Sequence, residues 1–242
     1  QVKSPEAHSY NWIFHAEHTN GKSSITYADS RVTITRPAAR LTMDILSPKE
    51  LTGRIRNSDR DESFIAISSE KIKDADFLAV MVPESKAANA EYASRPKPKR
   101  IDSNGWIGAM LNEGSSIHYG FFRINEGSDS GVEGFKTDAS NFSALISDNK
   151  LKEAYFDGKT FEGYGSGIKF SAPVATSLVI SSSETVLELK SDSPVEMTML
   201  MGLKPKSIIQ NGLMLKNWKY DQKSKALSIS LPEGQSTISI NY

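Results

Sequence analysis

The side chains that could do chemistry in this chain are few. There are four histidines: His8, His15 and His18 in a His-x6-His-x2-His spacing, and His118 in Ile117-His118-Tyr119-Gly120. A zinc site needs three or four neutral imidazoles or carboxylates converging at about 2.0–2.1 Å. On one extended strand His8 and His15 project from opposite faces, so the expectation is strand and turn histidines bonded to backbone or water. Gly165-Ser166-Gly167 and Gly127-Ser128-Asp129-Ser130-Gly131 echo the Gly-x-Ser-x-Gly nucleophile turn. Neither lies between an apolar strand and a helical pattern, so both read as turns. Asp129 offers oxygen ligands for calcium, but its setting reads first as a linker. No phosphate-binding loop of the Walker or dinucleotide type occurs. Asp59, Asp61 and Glu62 could supply a glycosidase carboxylate pair. Interleaved with Arg56 and Arg60, they read better as a solvated, charge-balanced loop.

Aromatic and basic groups fit carbohydrate better. Sugar rings stack their C–H faces on Trp or Tyr, and uronates or sulfates are held by Arg and Lys. Trp12, Trp106 and Trp218 are available, with Arg36, Arg40, Arg54 and Arg56 and the run Arg95-Pro96-Lys97-Pro98-Lys99-Arg100. The candidate carbohydrate-binding set is Trp12, Trp106, Arg95, Lys97, Lys99 and Arg100. The competing expectation is that the tryptophans fill core and that the basic run is a solvated linker.

These groups must be positioned by β structure. The chain has 242 residues, enough to bury a substantial core as one large β domain or two smaller ones. Its 29 basic and 29 acidic residues cancel, which removes the global electrostatic argument for nucleic acid or an anionic membrane. No apolar run approaches the ~20 residues of a membrane helix. Cysteine is absent, excluding disulfides and Cys-ligated zinc and fitting a periplasmic or secreted protein. A start at Gln1, with neither initiator Met nor signal-peptide apolar run, reads as a processed or recombinant boundary.

Period-2 patterning recurs throughout. His8-Ser9-Tyr10-Asn11-Trp12-Ile13-Phe14-His15 reads as one aromatic strand, with His8, Tyr10, Trp12 and Phe14 on one face. Such a strand belongs inside a large sheet, yet no strand precedes it. Leu41, Met43 and Ile45 share a face, while Phe64–Ile67 and Phe77–Val82 read as strands buried on both sides, the second ended by Pro83. Asn112-Glu113-Gly114-Ser115, Asp157-Gly158, Asn211-Gly212, Asp221–Lys225 and Glu233-Gly234 read as turns, with Asp157-Gly158 closing a hairpin. The segment Glu84–Tyr92 fits a helix or an irregular loop equally. The expected fold is all-β: antiparallel stacked sheets forming a larger sandwich over 1–136, then a smaller C-terminal sandwich over 137–242.

Three features resemble heparinase II/III-like polysaccharide lyases. The opening strand has their His-x-Tyr-x-Trp-x-x-His spelling. Arg40-Leu41-Thr42-Met43-Asp44-Ile45-Leu46-Ser47-Pro48 is similar to their following segment. Gln210-Asn211-Gly212, Trp218-Lys219-Tyr220-Asp221 and Leu231-Pro232-Glu233-Gly234 look like their terminal small sandwich. The resemblance implies an enzyme with an N-terminal α/α toroid and leading sheet strands upstream, acting by β-elimination on uronic-acid-containing polymers of the heparin, heparan sulfate or alginate type. It implies an Asn and a Tyr from the toroid and a His from a His-x-Asp-x-Gly-like segment near any metal. This chain has neither motif, so no catalytic residue carries over and no cofactor is expected within it. The expected partners are an anionic polysaccharide and the toroid of the same enzyme, with no nucleic acid and no membrane. A self-contained carbohydrate-binding module and an adhesin-like sandwich pair are the alternatives. A sheet lacking its leading strands would expose an apolar edge and favour dimerisation.

Overall fold

Alternation with a period of two governs what the structure, a computed structural model, shows at residues 2–17, 23–57, 62–85, 94–103, 105–125, 131–163, 168–181 and 183–242. Among them every regular element is a strand, all pairings are antiparallel, and the sheets pack in the manner of β-sandwiches. The chain forms two compact units, Gln1–Lys99 and Arg100–Tyr242. The second unit is the larger, and the expected boundary at 136/137 falls inside it. The reason is pairing across that point: β12 (Ser116–Arg123) runs beside β15 (Asn141–Ser147), with Tyr119 opposite Ala144.

In the first unit, β1 (Val2–His8) pairs with β8 (Ile72–Ala75). A three-stranded sheet has β7 (Glu62–Ser69) between β2 (Asn11–Glu17) and β6 (Leu51–Asn57). A four-stranded sheet runs β3 (Ser24–Ala28), β4 (Arg31–Arg36), β5 (Ala39–Ser47), β9 (Leu78–Ser85). Val32, Met43 and Ile45 of the second meet Ile65 and Ile67 of the first in one core, closed by Trp12, Phe14 and Tyr27.

The aromatic opening strand differs from expectation in two ways. It breaks at Ser9–Tyr10, because the Tyr10 N–H donates to Ser69 Oγ at 3.0 Å and the Tyr10 carbonyl accepts from the Ser69 N–H at 2.9 Å. Those two bonds draw the chain from one sheet into the next. Its second part, β2, forms an edge of the three-stranded sheet rather than a central strand. The expected face survives only in part: Tyr10, Trp12 and Phe14 are half-buried while Asn11, Ile13 and His15 are exposed, but His8 is exposed and belongs to β1. Pro83 does not end its strand. It lies within β9, opposite Leu41, on a sheet edge where a missing N–H is tolerated. β9 is also not buried on both sides, since Met81 is 54% exposed. Of the possible helix at Glu84–Tyr92, Glu84 and Ser85 belong to β9 and the remainder lies outside the described residues.

The second unit is organised by two long strands, β16 (Lys150–Gly163) and β17 (Ile168–Ile180). Thr176–Ile180 of β17 pair with β18 (Glu184–Ser191), which pairs with β24 (Gly234–Asn241) and through it with β20 (Ser207–Gln210). At its other end, Lys169–Ser171 pair with β19 (Val195–Leu200), which continues to β23 (Ala226–Leu231) and β22 (Trp218–Asp221). The first end of β16 likewise pairs with β15 and the second with β14 (Phe135–Thr137). The two strands therefore belong to both layers, and the core lies between those layers. Asp157-Gly158 is no hairpin but sits just before a bulge between β16 and β17, where Lys159 stands against Ala172–Ala175 of β17. Lys159 and Thr160 are both exposed, and this two-residue break in alternation lets Phe156 and Phe161 both point inward. Asp138 holds the bulge, its Oδ1 accepting from the N–H groups of Lys159 at 2.9 Å and Thr160 at 2.8 Å.

Candidate functional site

A groove lies on the outer face of β19, β23 and β22. Val195, Met197 and Met199 of β19 and Leu227, Ile229 and Leu231 of β23 are buried, so Glu196, Thr198, Ser228 and Ser230 must face outward. Register sets them in rows: Thr198 opposite Ser228 opposite Lys219, with Glu196 opposite Ser230 alongside. Lys216 and Asn217, just before β22, complete a groove of about 570 Å³. Trp218 also lines it, but it shares the parity of Ile229, is half-buried and packs on the core. Asp221, at the end of β22, is committed to the following turn. The backbone N–H of Lys223 and the N–H and hydroxyl of Ser224 hold its carboxyl below the usual aspartate value.

Hydroxyls in rows, two ammonium groups on one side and a carboxylate on the other suit the hydroxyls and carboxylates of a saccharide. Neither Lys216 nor Lys219 makes an ion pair among the described residues. Ser230 donates only weakly to Glu196 Oε1, at 3.5 Å. These groups escaped the sequence reading. The alternation Val-Glu-Met-Thr-Met-Leu shows which residues face out, but only the register shows that three distant strands share a surface.

The residues proposed from sequence are placed differently. Trp106 is 1% exposed, edge-on to Phe142 at 5.5 Å with the Arg123 guanidinium 4.7 Å over its ring, so it fills core and offers no sugar platform. Trp12 is half-buried against Phe14 and Phe77, with ring centroids 6.0 and 5.1 Å apart. Three of the four basic residues of the run have a carboxylate beside them. Arg95 donates to Glu84 at 2.9 Å, Lys97 lies 3.7 Å from Asp29, and Arg100 lies 2.7 Å from Asp102. Lys99 is exposed. His8 and His15 are exposed, and His118 lies 3.3 Å from Glu113. His18, Asp59, Asp61 and the two serine-glycine turns at 127–130 and 165–167 lie outside the described residues. Among the described residues no group of three His, Asp or Glu side chains is placed to hold a metal.

Glu84 is the electrostatic hub of the first unit. It accepts from Arg40 Nε at 2.6 Å as well as from Arg95, with side-chain exposures of 11%, 16% and 28% for Glu84, Arg40 and Arg95. The Arg40 hydrogen bond first, and then Arg95 and both positive charges, outweigh desolvation and lower its pKa. A depressed folded-state pKa contributes stability that is complete above the ordinary glutamate value and lost as pH falls through the lowered one. Glu84→Gln is expected to destabilise the first unit by about 2 kcal/mol at neutral pH. The difference from the parent should shrink on acidification below the ordinary glutamate value. Denaturant midpoints across pH check this, and a gap unchanged down to the lowest pH would contradict it.

Comparison of the chain with protein-family models, with curated proteins and with solved structures gives no match in any of the three. The functional reading therefore rests on the chain's own residues.

Proposed function

We propose that this chain is the non-catalytic β region of a heparinase II/III-like polysaccharide lyase, and that it contacts uronic-acid-containing glycans of the heparin, heparan sulfate or alginate type. The observation that carries the reading is the Lys216–Lys219 groove, whose ammonium groups face rows of Thr198, Ser228 and Ser230 hydroxyls. The spelling of the opening strand supports the family. In this reading the proton beside the uronate carboxylate is removed by residues of an α/α toroid in the same enzyme. This chain supports the toroid, extends the cleft and holds polymer. Such a substrate implies a periplasmic or secreted setting.

Calorimetric titration with heparin and alginate oligosaccharides, together with ultraviolet absorbance of unsaturated uronate product, tests the proposal. The expected result is salt-sensitive binding that weakens about tenfold in Lys216→Ala/Lys219→Ala. No absorbance should rise from the chain alone. A product signal surviving repurification would place a base within the chain and overturn the non-catalytic role, while absence of binding to every uronate polymer would overturn the glycan contact. The groove equally suits a self-contained carbohydrate-binding module, which would bind as well without a toroid and give that toroid no added turnover.

A further inference from the structure

The other layer of the second unit carries a second concavity of different chemistry. β12, β15, β16 and β17 lie side by side there, and their register sets Gly120 opposite Ser143, Ser143 opposite Tyr155 and Tyr155 opposite Val179. In the neighbouring row His118 faces Leu145 and Leu145 faces Glu153. Their sequence neighbours Tyr119, Ala144, Ala154 and Leu178 are buried, so this whole set is turned to solvent. Gly120 opens the surface further, since a Cβ there would find no atom within 4 Å. The outcome is a dish of about 200 Å³. At ~30 Å³ per water that is room for roughly six or seven waters, the scale of one small ring rather than a polymer strand.

An outward sheet face is ordinarily polar, as Ser177 and Asp157 are on these strands. Here Tyr155 is 41% exposed and Val179 44%, and Phe122 at 55% stands beyond the gap left by Gly120. Apolar and aromatic surface is thus kept exposed around a hollow that also holds a hydroxyl, an imidazole and a carboxylate. That combination presents a ring face to C–H groups and acceptors to hydroxyl groups. The charge at the rim is acidic, from Glu153 and from Glu113 beside His118. A carboxylate- or sulfate-bearing sugar is disfavoured there by like charge.

We propose that this dish binds an uncharged pyranose ring, its C–H face against Tyr155 and Val179 and its hydroxyls on Glu153, Ser143 and His118. It would complement the lysine-lined groove, one taking the uncharged units of a glycan and the other the acidic ones. The site does not depend on the lyase reading.

The test is calorimetric titration of the full chain with two neutral probes, the hexamers of chitin and cellulose. Binding of at least one hexamer is expected, weakened about tenfold by Tyr155→Ala and by Gly120→Leu. Gly120→Leu adds bulk to open space without removing a contact, so its melting temperature should match the parent's. Should it melt lower, Tyr155→Ala decides, because that ring points outward. Lys216→Ala/Lys219→Ala should bind the neutral hexamer as the parent does. Failure of both hexamers to bind the parent, or parent-like affinity in Tyr155→Ala, would overturn the proposal. Loss of heparin and alginate binding alone would overturn the groove and leave the dish standing.

Discussion

Phe161→Ala is expected to destabilise the second unit by about 3–5 kcal/mol, near the upper end for a core truncation. Phe161 is 1% exposed and lies where β16 passes from one layer to the other. Its ring stacks on Phe156 with centroids 4.9 Å apart and 13° between planes, and Phe135 and Phe142 surround it at 6.0 and 6.3 Å. These neighbours are themselves fully buried and held by strands of both layers, so they cannot collapse into the space. The lost ring therefore leaves a cavity as well as a lost transfer term. Hydrogen exchange at the most protected amides of β16 and β17 reads the change. A loss below about 1 kcal/mol would mean that the layers can close over the gap.

The second large effect is expected at Gly158. A Cβ on this residue would stand 2.7 Å from Asp138 Oδ1, 3.0 Å from Ala139 N and 3.1 Å from Ala139 Cα. Two of those atoms are backbone and cannot swing aside. The third is the oxygen that accepts from the N–H groups of Lys159 and Thr160. Gly158→Ala thus combines overpacking with two weakened hydrogen bonds, together about 3–5 kcal/mol. Asp138→Ala removes the bonds alone and is expected to lose about 1–3 kcal/mol. Because the two changes act on one bulge, the double variant should lose less than their sum. Strict additivity in denaturant midpoints would show that the carboxylate and the glycine act independently.

This bulge also marks where reading the sequence stopped working. Asp157-Gly158 between two aromatic stretches has hairpin chemistry, and the expectation of a turn followed from local propensity alone. What overrides it is tertiary: β16 goes on pairing with β17 beyond the bulge, Thr160 opposite Ser171, and the Asp138 carboxylate accepts from the N–H groups of Lys159 and Thr160. Turns whose positive-φ residues mark them locally were legible. Asn211-Gly212 adopts φ of 49° and 82° and joins β20 to β21 (Leu213–Met214). Gly114 at φ 78° joins β11 (Trp106–Glu113) to β12, its N–H bonded to Asn112 Oδ1 at 3.1 Å.

The all-β class was legible because alternation is a backbone property, whereas the site was not. Trp106 looks equally fit for core or ligand in a sequence, and only its neighbours settle its place. Arg95, Lys97 and Arg100 look like a polyanion clamp until Glu84, Asp29 and Asp102 are found beside them. The dish between His118 and Val179 depends on four strands in one register, which no short window of sequence displays.

The position of β24 has a bearing on how the protein is made. Gly234–Asn241 pair with β18 on one side and, through Ile238–Asn241, with β20 on the other, and Ile238 and Ile240 are fully buried. A ribosome delivers β11, β12 and β15 as neighbouring antiparallel strands that can pair as they emerge. The strand that joins β18 to β20 reaches them long after. Until it arrives, the apolar sides of both partners face water and their edges stand open to other chains. The second unit therefore completes its fold after β24 has left the ribosome, and crowding of nascent chains before that moment is when it is most prone to aggregate.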